Sequence, residues 1–235
     1  MVTIYTITYN EEKLIKFFIN HYRERFPNCE INIFDNYSTD RTTEIAQELD
    51  CNVILYDTNN TLSDSEYLKI KNNCWKTSKT DWVIVCDCDE LLEINENDLC
   101  NEEFNIVKTE GYSIMNFDED KDLNLLDEGF RDFGFDKSIM FNSNKINEIN
   151  YSPGCHRCQP QPKLNCVISY SEKKYRLLHY KYLGPNYTVE RHKMFGLRLS
   201  DDNKKNGWGI HYNFTSESII QYYDDKQKEL IKLLK

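Results

Sequence analysis

The chain has 235 residues, 40% hydrophobic and 29% charged, with a formal net charge of −10, enough for a sizeable core in one α/β domain or two small ones. The acidic balance excludes a sequence-independent nucleic-acid binder, which needs a basic face; no nucleic acid is expected as a partner. No apolar run approaches the roughly 18 to 20 residues of a membrane span, and Met1-Val2-Thr3-Ile4 has neither the basic nor the apolar region of a signal peptide.

Residues 2–8 are β-branched and aromatic and read as a strand. Asn10 follows as a candidate N-cap, with Glu11 and Glu12 suited to the first turn of a helix. Leu14, Phe18 and Tyr22 share one helical face until Pro27-Asn28 stops it. A second strand, 31–34, ends in Asp35-Asn36, and Ser38-Thr39-Asp40 opens a helix with Ile45, Ala46 and Leu49 at helical spacing. A third strand covers 52–56 and a third helix 63–78. The strand 82–86 then runs straight into Asp87, Asp89 and Glu90. The first ninety residues therefore alternate β-α-β-α-β-α-β, which implies a parallel sheet with crossover helices. Polar residues end three of these strands, at 8–11, at 35–36 and at 87–89, so three loops deliver polar side chains to one edge.

The second half is less regular. Residues 93–103 are acidic and solvated in character. Strands are expected at 111–117, 137–141 and 175–180, the last containing His179. Residues 118–127 read as a mobile acidic surface loop, and 149–162, with Pro153, Gly154, Pro160 and Pro162, as loop. From Tyr187 two helical patterns flank Gly207-Trp208-Gly209. No internal repeat appears, so one domain is expected.

The chain has nine cysteines, an odd number. Several fall inside apparent core strands (Cys86, Cys88), which fits buried free thiols in a reducing compartment and hence a cytoplasmic location. Cys155-His156-Arg157-Cys158 has CxxC spacing with Cys166 beyond, a weak zinc signal without a second pair.

The chemistry concentrates at 87–90. In extended backbone, residues i and i+2 point to one side, so Asp87 and Asp89 can face one point at the carboxyl edge of the sheet. Hard oxygen ligands there suit Mn²⁺ or Mg²⁺, which bind through one or two carboxylates plus substrate phosphates. The bland alternative is a solvated acidic turn. Three functional readings compete: a metal-dependent nucleotide-sugar transferase, another metal-dependent α/β phosphate enzyme, and a non-catalytic nucleotide- or sugar-binding module. A phosphatase aspartate pair belongs after the first strand, not the fourth. A nucleotidylyltransferase needs a glycine-rich loop where this chain has Thr8-Tyr9-Asn10-Glu11, and neither G-x-x-x-x-G-K nor G-x-G-x-x-G occurs.

The order Thr8-Tyr9-Asn10-Glu11, Asp35-Asn36-Tyr37-Ser38-Thr39-Asp40 and Asp87-Cys88-Asp89-Glu90 resembles family 2 glycosyltransferases. Gly154-Cys155-His156, the run from His179 to Gly184, and the run from Asn206 to Tyr212 look like a short bacterial or large-virus subgroup of that family. The resemblance implies a Rossmann-like GT-A fold, a mostly parallel central sheet flanked by helices with a helical C-terminal extension. It divides the single domain into a nucleotide-sugar-binding half (1–92), an acceptor half (93–185) and the extension (186–235). It further implies a nucleotide-diphosphate sugar held by Thr8, Tyr9, Asn10, Glu11, Asp35, Asn36, Asp87 and Cys88. Lys71 joins that set or is a solvated helix lysine. Asn36 stands where members often carry a second aspartate. Mn²⁺ or Mg²⁺ would rest on Asp89, with Asp87 direct or through water and His179 as a further ligand, and transfer to a glycan or glycolipid acceptor would invert the anomeric carbon. The general base is open among His156, Glu128, Asp132 and Asp136. Trp208, His211 and Tyr212 line an acceptor pocket on one reading and pin the C-terminal helices on the other. The C-terminal lysines (Lys226, Lys228, Lys232, Lys235) offer a peripheral contact to an anionic membrane, though the interspersed acids favour a solvated helix face.

Overall fold

A computed structural model describes residues 1–99 and 104–233; the end of the acidic stretch (100–103) and Lys235 lie outside the described residues. β1 (Val2–Thr8) is buried along its whole length, as a strand covered on both faces must be. α1 (Glu12–Arg25) turns Leu14, Ile15, Phe18, Ile19 and Tyr22 inward. β2 (Glu30–Asp35), α2 (Thr42–Glu48), β3 (Asn52–Leu55), α3 (Asp64–Asn73) and β4 (Trp82–Asp87) complete the expected alternation. β1 pairs in parallel with β2 on one side and β4 on the other, and β3 flanks β2. The register sets Thr8 beside Asp35 and Ile7 beside Asp87, which brings the three polar strand ends to one edge.

Beyond β4 come β5 (Glu90–Leu92), β6 (Ile106–Asn116), β7 (Glu128–Arg131), β8 (Met140–Asn142), β9 (Ile146–Glu148), β10 (Gln161–Pro162) and β11 (Tyr170–Leu183). Then follow α4 (Pro185–Arg198), α5 (Asp201–Asn206), α6 (Ser216–Lys226) and β12 (Ile231–Lys232). The main sheet runs β12-β7-β6-β8-β4-β1-β2-β3, with β11 joined to β6 and β5. The consecutive parallel run ends at β4: β8 is antiparallel to β4 and to β6, β7 is antiparallel to β6 and β5 to β11, while the long β11 lies parallel to β6. The result is a mixed sheet flanked by helices, whose first half carries the parallel run read from the sequence.

Several boundaries differ from expectation. The strand expected at 111–117 begins at Ile106, and the one at 175–180 extends over Tyr170–Leu183. β11 carries Glu172, Lys173 and Lys174 near its start, exposed there, and their charge hides the strand from a periodicity reading. β5 was invisible because its first residue is Glu90, only 1% exposed yet ion-paired to Lys137. Asn10 does not cap α1. It adopts φ 55° and its side chain binds Thr39, while the Glu12 amide donates to Asp40 Oδ2 at 3.1 Å. A cap thus reaches α1 from a different loop, a partner that local sequence cannot announce.

The acidic loop expected to be mobile is tied down. Glu119 Oε1 accepts from the Asn186 and Tyr187 amides at 2.8 and 3.2 Å, and Lys13 Nζ donates to the Glu119 carbonyl at 3.0 Å. A carboxylate at a helix N-terminus satisfies otherwise orphaned amides and meets the positive end of the dipole. Gly184, at φ 123°, leaves room for it; a Cβ there would lie 2.1 Å from Glu119 Cγ. The expected C-terminal extension is helical, but it is a wall rather than an appendage. Phe195 and Leu199 pack with Leu62, against Tyr9, Tyr67 and Tyr212.

Candidate active site

The carboxyl ends of β1 and β4, α3, the 153–156 turn, β11, α4 and the 208–212 segment enclose an open cavity of about 490 Å³. Asp87 and Asp89 lie at its floor, where β4 runs out.

Asp87 faces ammonium groups. Its Oδ1 lies 2.5 Å from Lys71 Nζ and its Oδ2 3.9 Å from Lys137 Nζ. Lys71 and Lys137 are both buried, and Lys137 also pairs with Glu90. Burial pushes the Asp87 carboxyl up, but the two ammonium charges outweigh it and hold it below the usual carboxylate range. Lys71 is therefore a buried partner of the floor rather than a solvated helix lysine. Glu90 Oε2 accepts from the Asp87 amide at 3.1 Å and fixes the turn between the two aspartates.

Asp89 faces a different set. Its Oδ2 is 3.4 Å from His179 Nε2 and 3.4 Å from Arg191 Nη2. Burial again opposes ionisation, and His179, Arg191 and Lys137 overcome it, so Asp89 is held far below the usual range. Arg191 is clamped by Glu11 in a bidentate pair at 2.6 and 2.7 Å. Burial, only partly offset by that guanidinium, pushes Glu11 up to about 7. His179 is steadied by a stacked Phe135 ring with centroids 3.8 Å apart, and its Nδ1 is buried without a hydrogen-bond partner among the described residues.

Adjacent ligands of an octahedral ion at about 2.1 Å stand about 3 Å apart. Asp89 Oδ2 and His179 Nε2, at 3.4 Å, fit two such positions. Asp87 is the less available carboxylate at Oδ1, 2.5 Å from Lys71 Nζ, whereas the nearest lysine to its Oδ2 stands at 3.9 Å and the guanidinium beside Asp89 Oδ2 at 3.4 Å. Among the described residues no three His, Cys, Asp or Glu side chains form a metal cage. An ion here would rest on two protein ligands and take the remainder from substrate or water.

The other expected residues divide in two. Tyr9, Glu11, Cys88 and His156 line the cavity with the aspartates. Thr8, Asn10, Asp35 and Asn36 stand behind it and build the edge. Thr8 Oγ1 donates to Asp35 Oδ1 at 3.0 Å, and Ser38 donates its amide to Oδ2 at 2.8 Å and its hydroxyl to Oδ1 at 2.5 Å. Asn36 donates to the Tyr56 carbonyl and accepts from Thr58 and from Arg198. Arg198 in turn lies over the Tyr9 ring, 3.1 Å from its centroid.

The base candidates also separate. His156 Nδ1 sits 2.7 Å from the Gly134 carbonyl; a carbonyl only accepts, so Nδ1 carries the proton and Nε2 keeps its lone pair in the neutral ring. Burial, helped by the Lys137 charge, lowers the His156 pKa. Glu128 does not belong to the site: it is exposed on β7, paired in register with Lys232 of β12. Asp132 is likewise spent on structure, accepting from Ser113 at 2.8 Å and from the Gly134 amide at 3.1 Å. Asp136 pairs with Arg131 at 2.7 Å. Neither lines the cavity; short acidic loops read from sequence as candidate bases are here turn-forming residues.

Lys137, Lys181, Arg191 and His192 line the cavity, and Arg198 supports it from behind; none of these five was singled out from sequence. The signal existed. Lys181 follows His179 by two residues on β11 and shares its face, and Arg191, Phe195 and Arg198 repeat at i, i+4 and i+7 along α4. Burial lowers Lys181 to about 8. Burial followed by the Lys181 charge lowers His192 to about 4 and His211 to about 3.

Residues 3–97 match the model of glycosyl transferase family 2. That is the family whose motifs the sequence resembles, and the matched segment holds Tyr9, Glu11, Lys71, Asp87 and Asp89. It stops before His179, Lys181 and the α4 wall. No curated protein matches the chain. Among solved structures, TarS 1-349 of S. aureus is 14% identical over 84% of this chain and 64% of that one, with a TM-score of 0.44. Mannosyltransferase PcManGT from Pyrobaculum calidifontis, in complex with GDP-Man and Mn²⁺, is 20% identical over 46% of this chain and 34% of that one, with a TM-score of 0.35. Glucosyl-3-phosphoglycerate synthase from Mycobacterium tuberculosis is 18% identical over 48% and 44%, with a TM-score of 0.34. The chain spans less than two thirds of the length of each of these three.

Proposed function

We propose that the protein is a glycosyltransferase that moves a sugar from a nucleotide-diphosphate sugar to a hydroxyl of a glycan or glycolipid acceptor, with inversion at the anomeric carbon. The observation that carries this reading is one cavity, large enough for a substrate, where Asp87 and Asp89 meet the cations Lys71, Lys137 and Arg191. Two carboxylates surrounded by fixed positive charge suit a leaving group whose negative charge grows as its bond to the sugar breaks.

In this reading Tyr9 and Glu11 face the nucleoside, and Asn10, Asp35 and Asn36 set the edge behind them, with Thr8 locking Asp35 in place. Asp87, Cys88 and Lys71 face the diphosphate end. Asp89 and His179 hold Mn²⁺ or Mg²⁺, which when bound supplies Lewis-acid neutralisation of the diphosphate. Arg191 keeps Asp89 ionised and, through Glu11, keeps α4 over the site. His156 takes the proton of the attacking hydroxyl at Nε2; its lowered pKa leaves that nitrogen unprotonated at neutral pH. The eight described cysteines are all free, which supports a reducing, cytoplasmic setting. No helix among the described residues is long and apolar enough to cross a membrane.

The test is product analysis. The protein is incubated with a panel of nucleotide sugars and glycan acceptors, with Mn²⁺ and with a chelator, and the products are followed by NMR. Transfer with inverted anomeric configuration, lost on chelation, is the expected result. Tight nucleotide binding with no transfer for any pair would leave a binding module instead.

A further inference from the structure

The cations of the cavity are not equivalent. Lys71 is paired with Asp87, Lys137 with Glu90, and Arg191 with Glu11. Lys181 meets no carboxylate within ion-pair distance among the described residues; its ammonium lies 5.6 Å from the Tyr182 ring centre. The carboxylate it feels most is Asp89, which lies beyond ion-pair distance of it and is already held by His179 and Arg191, so a lysine half-withdrawn from water is under-compensated unless a ligand supplies a nearer anion.

Its surroundings point the same way. Lys181 is the charge felt most strongly by both His192 and His211, so the three share one end of the cavity. His192 is 5% exposed, and among the described residues neither of its ring nitrogens makes a well-formed hydrogen bond, the His211 backbone being a marginal contact. The rings of His192 and His211 are 5.8 Å apart, and Trp208 and Tyr212 complete this wall. A buried imidazole with unmet nitrogens is costly unless a ligand completes it. A neutral imidazole can donate one N–H to an anion, and the aromatic rings offer faces to sugar or polyol C–H groups. The floor at Asp87 and Asp89 presents the reverse pattern, carboxylates already balanced by cations.

We propose that Lys181, His192 and His211 form a second anion site, distinct from the diphosphate floor, that binds a phosphate-ester or carboxylate group of the acceptor. The acceptor is accordingly an anionic glycan or polyol phosphate rather than a neutral sugar. This assignment rests on the transferase reading for the word acceptor, and on the unpaired cation and imidazole for the site itself.

Isothermal titration calorimetry on the full chain tests it, with glycerol 1-phosphate and glycerol as probes. The protein is first saturated with whichever of UDP, GDP, ADP and CDP binds tightest. Glycerol 1-phosphate is expected to bind this complex, with glycerol at least about tenfold weaker, as a charge-assisted hydrogen bond demands. Lys181→Gln should weaken glycerol 1-phosphate about tenfold, and Lys181→Arg should restore it to within about threefold. Should Lys181→Gln fail the circular-dichroism check, His192→Leu serves in its place, with an expected loss of about fivefold. Unchanged affinity in a folded variant overturns the proposal. So does displacement of glycerol 1-phosphate by the nucleoside diphosphate, which would make Lys181 part of the donor site. If no nucleoside diphosphate binds, the transferase reading fails; glycerol 1-phosphate binding lost in Lys181→Gln would still support the anion site.

Discussion

Arg191 and Glu11 form a bidentate ion pair, Nη1–Oε2 2.6 Å and Nη2–Oε1 2.7 Å, between residues 180 apart in the chain. The pair joins the loop after β1 to α4, and the same guanidinium reaches Asp89 at 3.4 Å. One side chain thus ties the first polar strand end, the acidic floor and the C-terminal wall together. Removing it strands two buried carboxylates. Arg191→Ala is expected to cost about 3 kcal/mol, the scale for breaking a buried pair from one side, measured by urea unfolding. A loss below about 0.5 kcal/mol would mean that solvent already screens the pair.

Glu119 supports the same wall from outside. Its carboxylate accepts from the first amides of α4, so Glu119→Ala should lower stability by about 1 kcal/mol, the usual value of a cap. Glu119→Gln keeps an acceptor and should recover much of it. Equal loss in both variants would shift the weight from the hydrogen bonds to the charge on the helix dipole.

His192 and His211 make stability depend on pH. Burial, with the Lys181 charge next, depresses His192 to about 4 and His211 to about 3, against about 6.5 in an unfolded chain. The unfolded state then binds more protons between those values, so stability rises with pH across the window. The contribution is complete above about pH 6.5 and is lost as pH falls toward about 4. For His192 alone it is about 3 kcal/mol. His192→Phe should flatten the profile between pH 4 and 6.5, read as Tm against pH. A profile identical to that of the unsubstituted chain would show that His192 already titrates normally when folded.

His156 is the base that the geometry leaves standing. His156→Ala is expected to lower kcat by about 10²-fold or more, with KM for the donor little changed. A drop of less than about tenfold excludes the role.

The sequence made the donor side legible and the acceptor side opaque, for physical reasons. The parallel β1–β4 run shows itself through local apolar patterning, and i, i+2 geometry alone puts Asp87 and Asp89 together. The partners of those aspartates come from chain distant in sequence. Lys137 precedes a three-residue strand, and Arg191 lies in a tail that reads as an ordinary amphipathic helix. Lys71 stays open in the sequence between a nucleotide contact and a solvated helix lysine, because only the fold reveals that it is buried beside Asp87. Glu128 and Asp132 were misread for the converse reason: an acidic residue in a loop has the same local signature whether it serves a reaction or a turn. Asn10 erred in a third way, since a good N-cap residue took φ 55° and a cross-loop partner while Asp40 did the capping.

The central claim is that the floor at Asp89 is where a nucleotide sugar is cleaved. Its most direct test is the initial rate of nucleoside diphosphate release from a donor panel in the presence of Mn²⁺, for the unsubstituted chain and for Asp89→Ala. The predicted result is Mn²⁺-dependent release that falls by at least about 10²-fold in Asp89→Ala, with an unchanged circular-dichroism spectrum. Equal release from the two proteins, or none from any donor, would contradict it.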